Sequence, residues 1–536
     1  MIRKLLTGLA VLWAGLWATA AHAQWFEARS ANFIVYSEGS RRDAELNAAK
    51  LERYHYVLRT FHRIAADRPS NPLRVFLFDS AGDVQDMAGG AGVAGYYVSD
   101  ARGLMFVGSR SRGGRRDGDP RSENRALRLD PESTMLHEYA HHFMFQYFPA
   151  SYPTWYVEGF AEFWGTTRIL DNDVVEVGLP AEDRVATFDF LTWMPLERLL
   201  TIHNYREAPG ENIGLLYAQG WLMMRFVFEN QARKRQLETY LRLINQGSTY
   251  EQAMRQAFPD LSSFNSELFN YAGGRRFTAV RLPFRAINVG NIVVRELSAA
   301  ENALIEKEVK LSQGYPQREA TAFANDVRSI AARFPEDPFA LSVLMEAERL
   351  AGNFDAAIAA ADRLLQREPN HARAMATKGL ARAAQLRAAQ STDRPSWTSI
   401  QQLLARAARA APNDPVVLDA YYDSYALQGV LPPEEVQNAL YTAMERAPSD
   451  GDLRYKLARD FERRRMIPEA IAIIRPEALA LPQTETENAR RERLRREERN
   501  RQAGREQRET ALEMLRRLQA MLSPQDRQRQ QEAGTS

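Results

Sequence analysis

Two histidines four residues apart, His137 and His141, with Glu138 between them, constrain the middle of this 536-residue chain more than any other feature. Side chains at i and i+4 share a face only in an α-helix, so the segment has to be helical for the pair to act together. The flanking residues agree. Asp130 suits an N-cap, Pro131 the first helical position, and Glu132 complements the helix dipole. Pro149 and Pro153 then end the helix, which is expected to run to about Tyr147. Both imidazoles project from one face and can hold one metal ion. Glu138, about 100° round the helix, can poise a carboxylate beside metal-bound water without ligating easily. Zinc is the expected cofactor. It lowers the pKa of its water, Glu138 takes the proton, and the hydroxide attacks a carbonyl that the same ion polarises. Glu138 then passes the proton to the leaving amine. With eight histidines in the chain, composition alone gives roughly 0.01 chance occurrences of H-E-x-x-H. Accident is therefore a poor explanation.

A third ligand decides the type of site. No histidine follows a glycine soon after His141, since residues 142–152 contain only the adjacent His142. Instead Trp155-Tyr156-Val157-Glu158-Gly159-Phe160-Ala161-Glu162 comes next, with 16 residues between His141 and Glu158. Thr154 is expected to cap this second helix and Gly165 to close it. The pair of motifs resembles the peptidase MA-like gluzincins, in which a second helix reads roughly W-x-x-E-G-x-A-E. It is also similar to the N-E-G-F-A segment of larger zinc aminopeptidases. The resemblance implies that Glu158 is the third zinc ligand and that Glu162, one turn on, is a carboxylate orienting a ligand histidine. It covers residues 25–280 in order of elements and implies a thermolysin-like zinc hydrolase core. No G-x-M-E-N segment, which anchors a substrate amino terminus in zinc aminopeptidases, is present, which favours endopeptidase action. Family members carry a Tyr opening a later helix that donates to the oxyanion. Tyr217 fits that place, with His203 and Tyr205 as rivals. His142 reads as a packed residue, and His55, His62 and His371 as structural.

Upstream of the motif, strands are expected at Ser30–Tyr36, Pro72–Phe78 and Gly103–Val107, with a helix over Ala44–Ile64 carrying Leu46, Leu51, Tyr54, Leu58 and Phe61. The glycine-rich loop Gly89–Gly95 lacks a Gly-Lys-Ser/Thr ending and is no phosphate loop. Downstream, Leu215–Asn230 and Lys234–Asn245 read as helices, and Ile292-Val293-Val294 as a short strand marking a domain boundary. The C-terminal half turns Ala-, Leu- and Arg-rich. Four related turns recur, Phe334–Asp337, Glu368–His371, Ala411–Asp414 and Ala447–Asp450, with prolines spaced 34, 43 and 36 residues apart. This is the period of tetratricopeptide-like helix pairs, with an insertion near Asp393-Arg394-Pro395.

The fold class is therefore α+β: a zincin-like domain, a small mixed sheet plus active-site helices, followed by an all-α tetratricopeptide-like solenoid. The expected division is a signal peptide over 1–23, the metallopeptidase-like domain over 24–280, a boundary region over 281–315, repeats over 316–482, and a charged helical or disordered tail over 483–536. The leader reading rests on Arg3 and Lys4, a 16-residue apolar run from Leu5 to Ala20, and Ala21-His22-Ala23 ahead of Gln24. That run is short of the roughly 20 residues a stable membrane span needs, so a soluble, exported protein, periplasmic or secreted, is expected. The absence of cysteine excludes disulfides, a thiol nucleophile and a cysteine metal site. A net charge of +2 argues against a nucleic-acid partner. The function expected is peptide-bond hydrolysis on a protein or peptide substrate, the repeats recruiting that substrate or another protein partner. The alternative is a periplasmic repeat scaffold whose metal domain is inactive or structural.

Overall fold

The computed structural model describes residues 24–65, 71–89, 93–110, 130–170, 174–180, 188, 192–202, 213–273, 277–284, 287, 289–314, 317–480 and 509–522. The leader, residues 1–23, lies outside them. So do the rival oxyanion donors His203 and Tyr205.

The chain begins with a mixed sheet. Strands β1 (Trp25–Arg29) and β2 (Phe33–Glu38) form an antiparallel pair, helix α1 (Arg41–Phe61) crosses over, and β3 (Leu73–Phe78) returns parallel to β2. Helix α2 (Ala81–Ala88) leads to β4 (Gly95–Val98) and β5 (Met105–Ser109). The order in the sheet is β4-β5-β3-β2-β1-β9, where β9 is the later strand Val293–Glu296, with β5 parallel to β3 and β4 antiparallel to β5 at the edge. Period-two alternation sends Val75 and Leu77 of β3 into the core beneath α1, and Phe76 and Phe78 into a second core on the opposite face. A sheet buried on both faces explains why β3 is an almost unbroken apolar run. On α1 the buried stripe is Leu51, Tyr54 and Leu58. Leu46 and Phe61, expected on the same stripe, are exposed.

The motif helix α3 (Pro131–Tyr147) starts as expected: Asp130 is its N-cap, accepting a hydrogen bond from the Ser133 amide at 3.1 Å. Helix α4 (Thr154–Gly165) follows, but its N-cap is Pro153 and no side chain caps it, so Thr154 is the first helical residue and not the cap. Strands β6 (Arg168–Ile169) and β7 (Val174–Val177) form a small second sheet with β8 (Val280–Pro283). Between them run α5 (Leu196–Thr201), α6 (Ile213–Glu229), α7 (Gln231–Asn245), α8 (Tyr250–Ala257) and α9 (Leu261–Gly273).

The short stretch Ile292-Val293-Val294, read as a strand, contributes to the N-terminal sheet. Strand β9 (Val293–Glu296) pairs antiparallel with β1, and α10 (Ala299–Gln313) buries Ile305 and Val309 against Phe76, Phe78 and Met105. The physical reason is coverage: the second face of the sheet is apolar and needs a helix, which α10 supplies.

From α10 onward the chain is helical. Helices α11 (Ala320–Ala331), α12 (Pro338–Leu350), α13 (Phe354–Arg367), α14 (Ala372–Ala388), α15 (Arg394–Ala410), α16 (Pro415–Gln428), α17 (Glu434–Arg446), α18 (Gly451–Arg463) and α19 (Ile467–Ala480) each pack on the next. Helix α14 also packs on α12 and α16, the ladder of a helical-repeat array. Each of the four related turns ends on the N-cap of the following helix, Asp337, His371, Asp414 and Asp450. Helix α20 (Ala511–Met521) buries Met514, Leu515 and Leu518 against α19, so this part of the charged tail is packed rather than solvated. No helix among the described residues is long and apolar enough to cross a membrane.

Candidate metal centre

Helix α4 lies between α3 and α6, and three glycines set how closely they approach. A Cβ on Gly159 would stand 2.5 Å from the Gly220 carbonyl oxygen of α6, and one on Gly220 would stand 2.7 Å from the Trp155 oxygen. Near the other end of α4, a Cβ on Gly165 would come within 3.0 Å of the His137 Cβ. Only backbones without side chains fit at these spacings, and the result is a tight three-helix layer that turns one face of α4 toward the α3 histidines.

His137, His141 and Glu158 meet in that layer, the one such group of potential metal ligands among the described residues. The two Nε2 atoms are 3.1 Å apart, and Glu158 Oε2 lies 3.4 Å from His137 Nε2 and 3.6 Å from His141 Nε2. Donors held at about 2.0–2.2 Å from a tetrahedral zinc ion stand roughly 3.3–3.6 Å from each other. The triangle thus has the dimensions of one coordination face, and its donor set, two imidazoles and a carboxylate, suits zinc. Glu162, on the same face of α4 as Glu158, brings Oε1 to 3.6 Å from His137 Nδ1, on the far side of the ring from the triangle. His141 Nδ1 is buried with no hydrogen-bond partner among the described residues.

The electrostatics follow from packing carboxylates and imidazoles together out of water. Burial disfavours a charged His137, but the Glu158 contact and the charges of Glu162 and Glu138 override it and lift its pKa to about 9. Burial would raise the Glu158 pKa, yet His141 and His137 hold it well below the usual carboxylate range. Glu138 moves the other way: burial first, then Glu158 and Glu162, raise its pKa against the pull of the two histidines. Burial and neighbouring charge thus push the two carboxylates in opposite directions, Glu158 down and Glu138 up. Tyr217, in the first turns of α6, stacks on His137 with ring centroids 6.3 Å apart and planes 27° from parallel.

One contact was not foreseeable from spacing. The Tyr97 hydroxyl, on edge strand β4, is hydrogen-bonded to His142 Nδ1 at 3.0 Å. Burial pushes the His142 pKa down to about 3, so the ring is neutral. His142 therefore ties the motif helix α3 to the strand beside it. Nothing local to Tyr96-Tyr97 distinguishes the residue that makes this bond from the one that does not. His55, whose Nδ1 is 2.6 Å from the Tyr139 hydroxyl, and His62, ringed by aromatics, are packed residues, and His371 accepts the Ala374 amide as an N-cap.

No protein-family model and no curated protein matches the chain. Among solved structures it is similar to the crystal structure of a thermophilic TPR protein of Thermus thermophilus. The identity is 22% and the TM-score 0.29, over 37% of this chain and 98% of that one. The repeat architecture therefore stands on the helix packing described above.

Proposed function

We propose that the protein is an exported zinc-dependent peptidase of the gluzincin type, with His137, His141 and Glu158 as zinc ligands. The observation that carries the reading is the 3.1–3.6 Å donor triangle with Glu138 on the same helix. When bound, a zinc ion would acidify a water and polarise a scissile carbonyl. Glu138, its pKa held up by burial, takes the proton of the attacking water and delivers it to the leaving amine. Glu162 orients His137 through the opposite ring nitrogen. Tyr217, stacked beside His137, donates to the oxygen on which charge develops. A peptide substrate is favoured by β4. Among the described residues this strand pairs only with β5 and sits beside α3, so its other edge can add an extended chain as a further strand. Export rests on the leader pattern Arg3 to Ala23.

Glu138→Gln provides the test. Wild type and variant are expected to carry one zinc each. Chelator-sensitive proteolysis should be present in wild type and fall by about 100- to 10,000-fold in the variant. Wild-type protein that takes up no zinc would sink the proposal and leave the helical-repeat scaffold as the reading. Tyr217→Phe, assayed alongside, should keep its zinc and lose rate.

A further inference from the structure

The turn between β4 and β5 gathers contacts from helices that are far apart in the chain. Its Ala101 amide donates to Asp450 Oδ2 at 2.8 Å, and Asp450 is the N-cap of α18. Gly103 lies against the end of α10 so closely that a Cβ there would stand 2.4 Å from the Ser312 carbonyl oxygen. Arg74 Nη2 donates to both the Arg102 carbonyl, at 3.0 Å, and Ser312 Oγ, at 2.8 Å. On β4 itself, the Tyr96 hydroxyl donates to Gln313 Oε1 at 2.6 Å, and Gln313 Nε2 donates to the Met87 carbonyl at 3.0 Å. Between these ends, burial would raise the Glu346 pKa on α12, yet Arg349 and, from the turn, Arg102 hold it below the usual carboxylate range. A single turn is thus reached from α10 and from α18, helices far apart in the chain.

We infer that the helical array, through Asp450 of α18 and through α10, braces the chain's own β4–β5 hairpin, so that its partner there is the strand beside the motif helix. The hairpin is pinned at two points. Asp450 holds it to the repeats and Gln313 to α10, which packs on α12, while Tyr97, the neighbour of Tyr96, holds it to His142 on α3. Loss of the repeat contacts frees β4 to move relative to the metal helix. The repeats then act on the site through the strand they hold. The brace stands on the contacts alone; its consequence for peptide hydrolysis rests on the function proposed above.

Asp450→Asn in the full-length chain is a narrow test. The Asp450 Oδ1 bonds to the Asp452 and Leu453 amides that cap α18 can persist. The atom facing the Ala101 amide becomes a donor, so that bond is lost. Hydrogen–deuterium exchange over residues 95–109 is expected to quicken at least about tenfold, with residues 451–463 unchanged. If α18 also loosens, Tyr96→Phe, which removes only the Gln313 bond, must give the same local quickening. Unchanged exchange in the hairpin of the informative variant overturns the brace. Zinc content of the wild type, measured in parallel, separates this outcome from failure of the metal site, because the exchange readout needs no metal.

Discussion

His62 sits among Phe143, Phe148, Phe160 and Trp164, and its Nε2 is buried with no hydrogen-bond partner among the described residues. Burial lowers its pKa from 6.5 to about 4, and does the same for His55. Since the unfolded chain binds these protons first as pH falls, the neutral rings contribute stability that is fully present above pH 6.5. That contribution is lost between pH 6.5 and about 4. Chemical denaturation across that window should show stability dropping by on the order of 3 kcal/mol per histidine. His62→Phe should flatten the fall, and an unaltered slope would refute the assignment. His137 shows the opposite behaviour, its pKa lifted to about 9, because Glu158 and Glu162 face it. Residue type was equally visible at all these positions. What separated His137 from His62 in the sequence was spacing to His141 and to Glu158, whereas the partners of His62 and the Tyr97–His142 bond come from segments remote in the chain.

At the level of elements, the α3–α4–α6 layer depends on glycines at its closest approaches. Gly159 stands next to Glu158, and its missing side chain is what lets α4 lie against the backbone of α6. Gly159→Ala must push the two helices apart or bend one, because the obstructing atoms are carbonyl groups with no rotamer to change. The expected cost is about 1–3 kcal/mol in denaturant titration, and under the proposed function zinc affinity should fall as well, because Glu158 moves with its helix. A variant as stable as wild type would show that the layer can relax. The boundaries of α3 were legible because Asp130, Pro131 and Pro149 act locally. The cap of α4 was not, since Pro153 starts that helix without any side-chain bond and Thr154 carries the residue type normally found there.

On the scale of the whole molecule, the N-terminal sheet and the repeats share structure at several places. Helix α10 covers one face of the sheet, Asp450 bonds the β4–β5 turn, and the Ser151 hydroxyl donates to the Pro476 carbonyl at 2.6 Å, where α19 packs on α7. Cooperative unfolding of the two parts follows. Tryptophan fluorescence, dominated by Trp25, Trp155, Trp164, Trp193 and Trp221 of the N-terminal part, should share one midpoint with far-UV circular dichroism, dominated by the helices. Two separated midpoints would mean that the parts unfold independently and that these contacts are too weak to couple them.

The sequence by itself determined what local rules can determine: a helix presenting His137 and His141 on one face, a following helix with Glu158 and Glu162 one turn apart, and four related turns recurring at the spacing of helix pairs. Those are matters of period, capping and proline geometry, which act over a few residues. Only the tertiary structure decided that the two helices bring three donor atoms to within 3.6 Å. Only it showed that residues 293–313 complete and cover the sheet, and that the repeats turn back onto the β4–β5 turn. Those outcomes depend on which apolar faces must be covered and on how closely glycine-bearing backbones can approach, and neither is encoded at any one position.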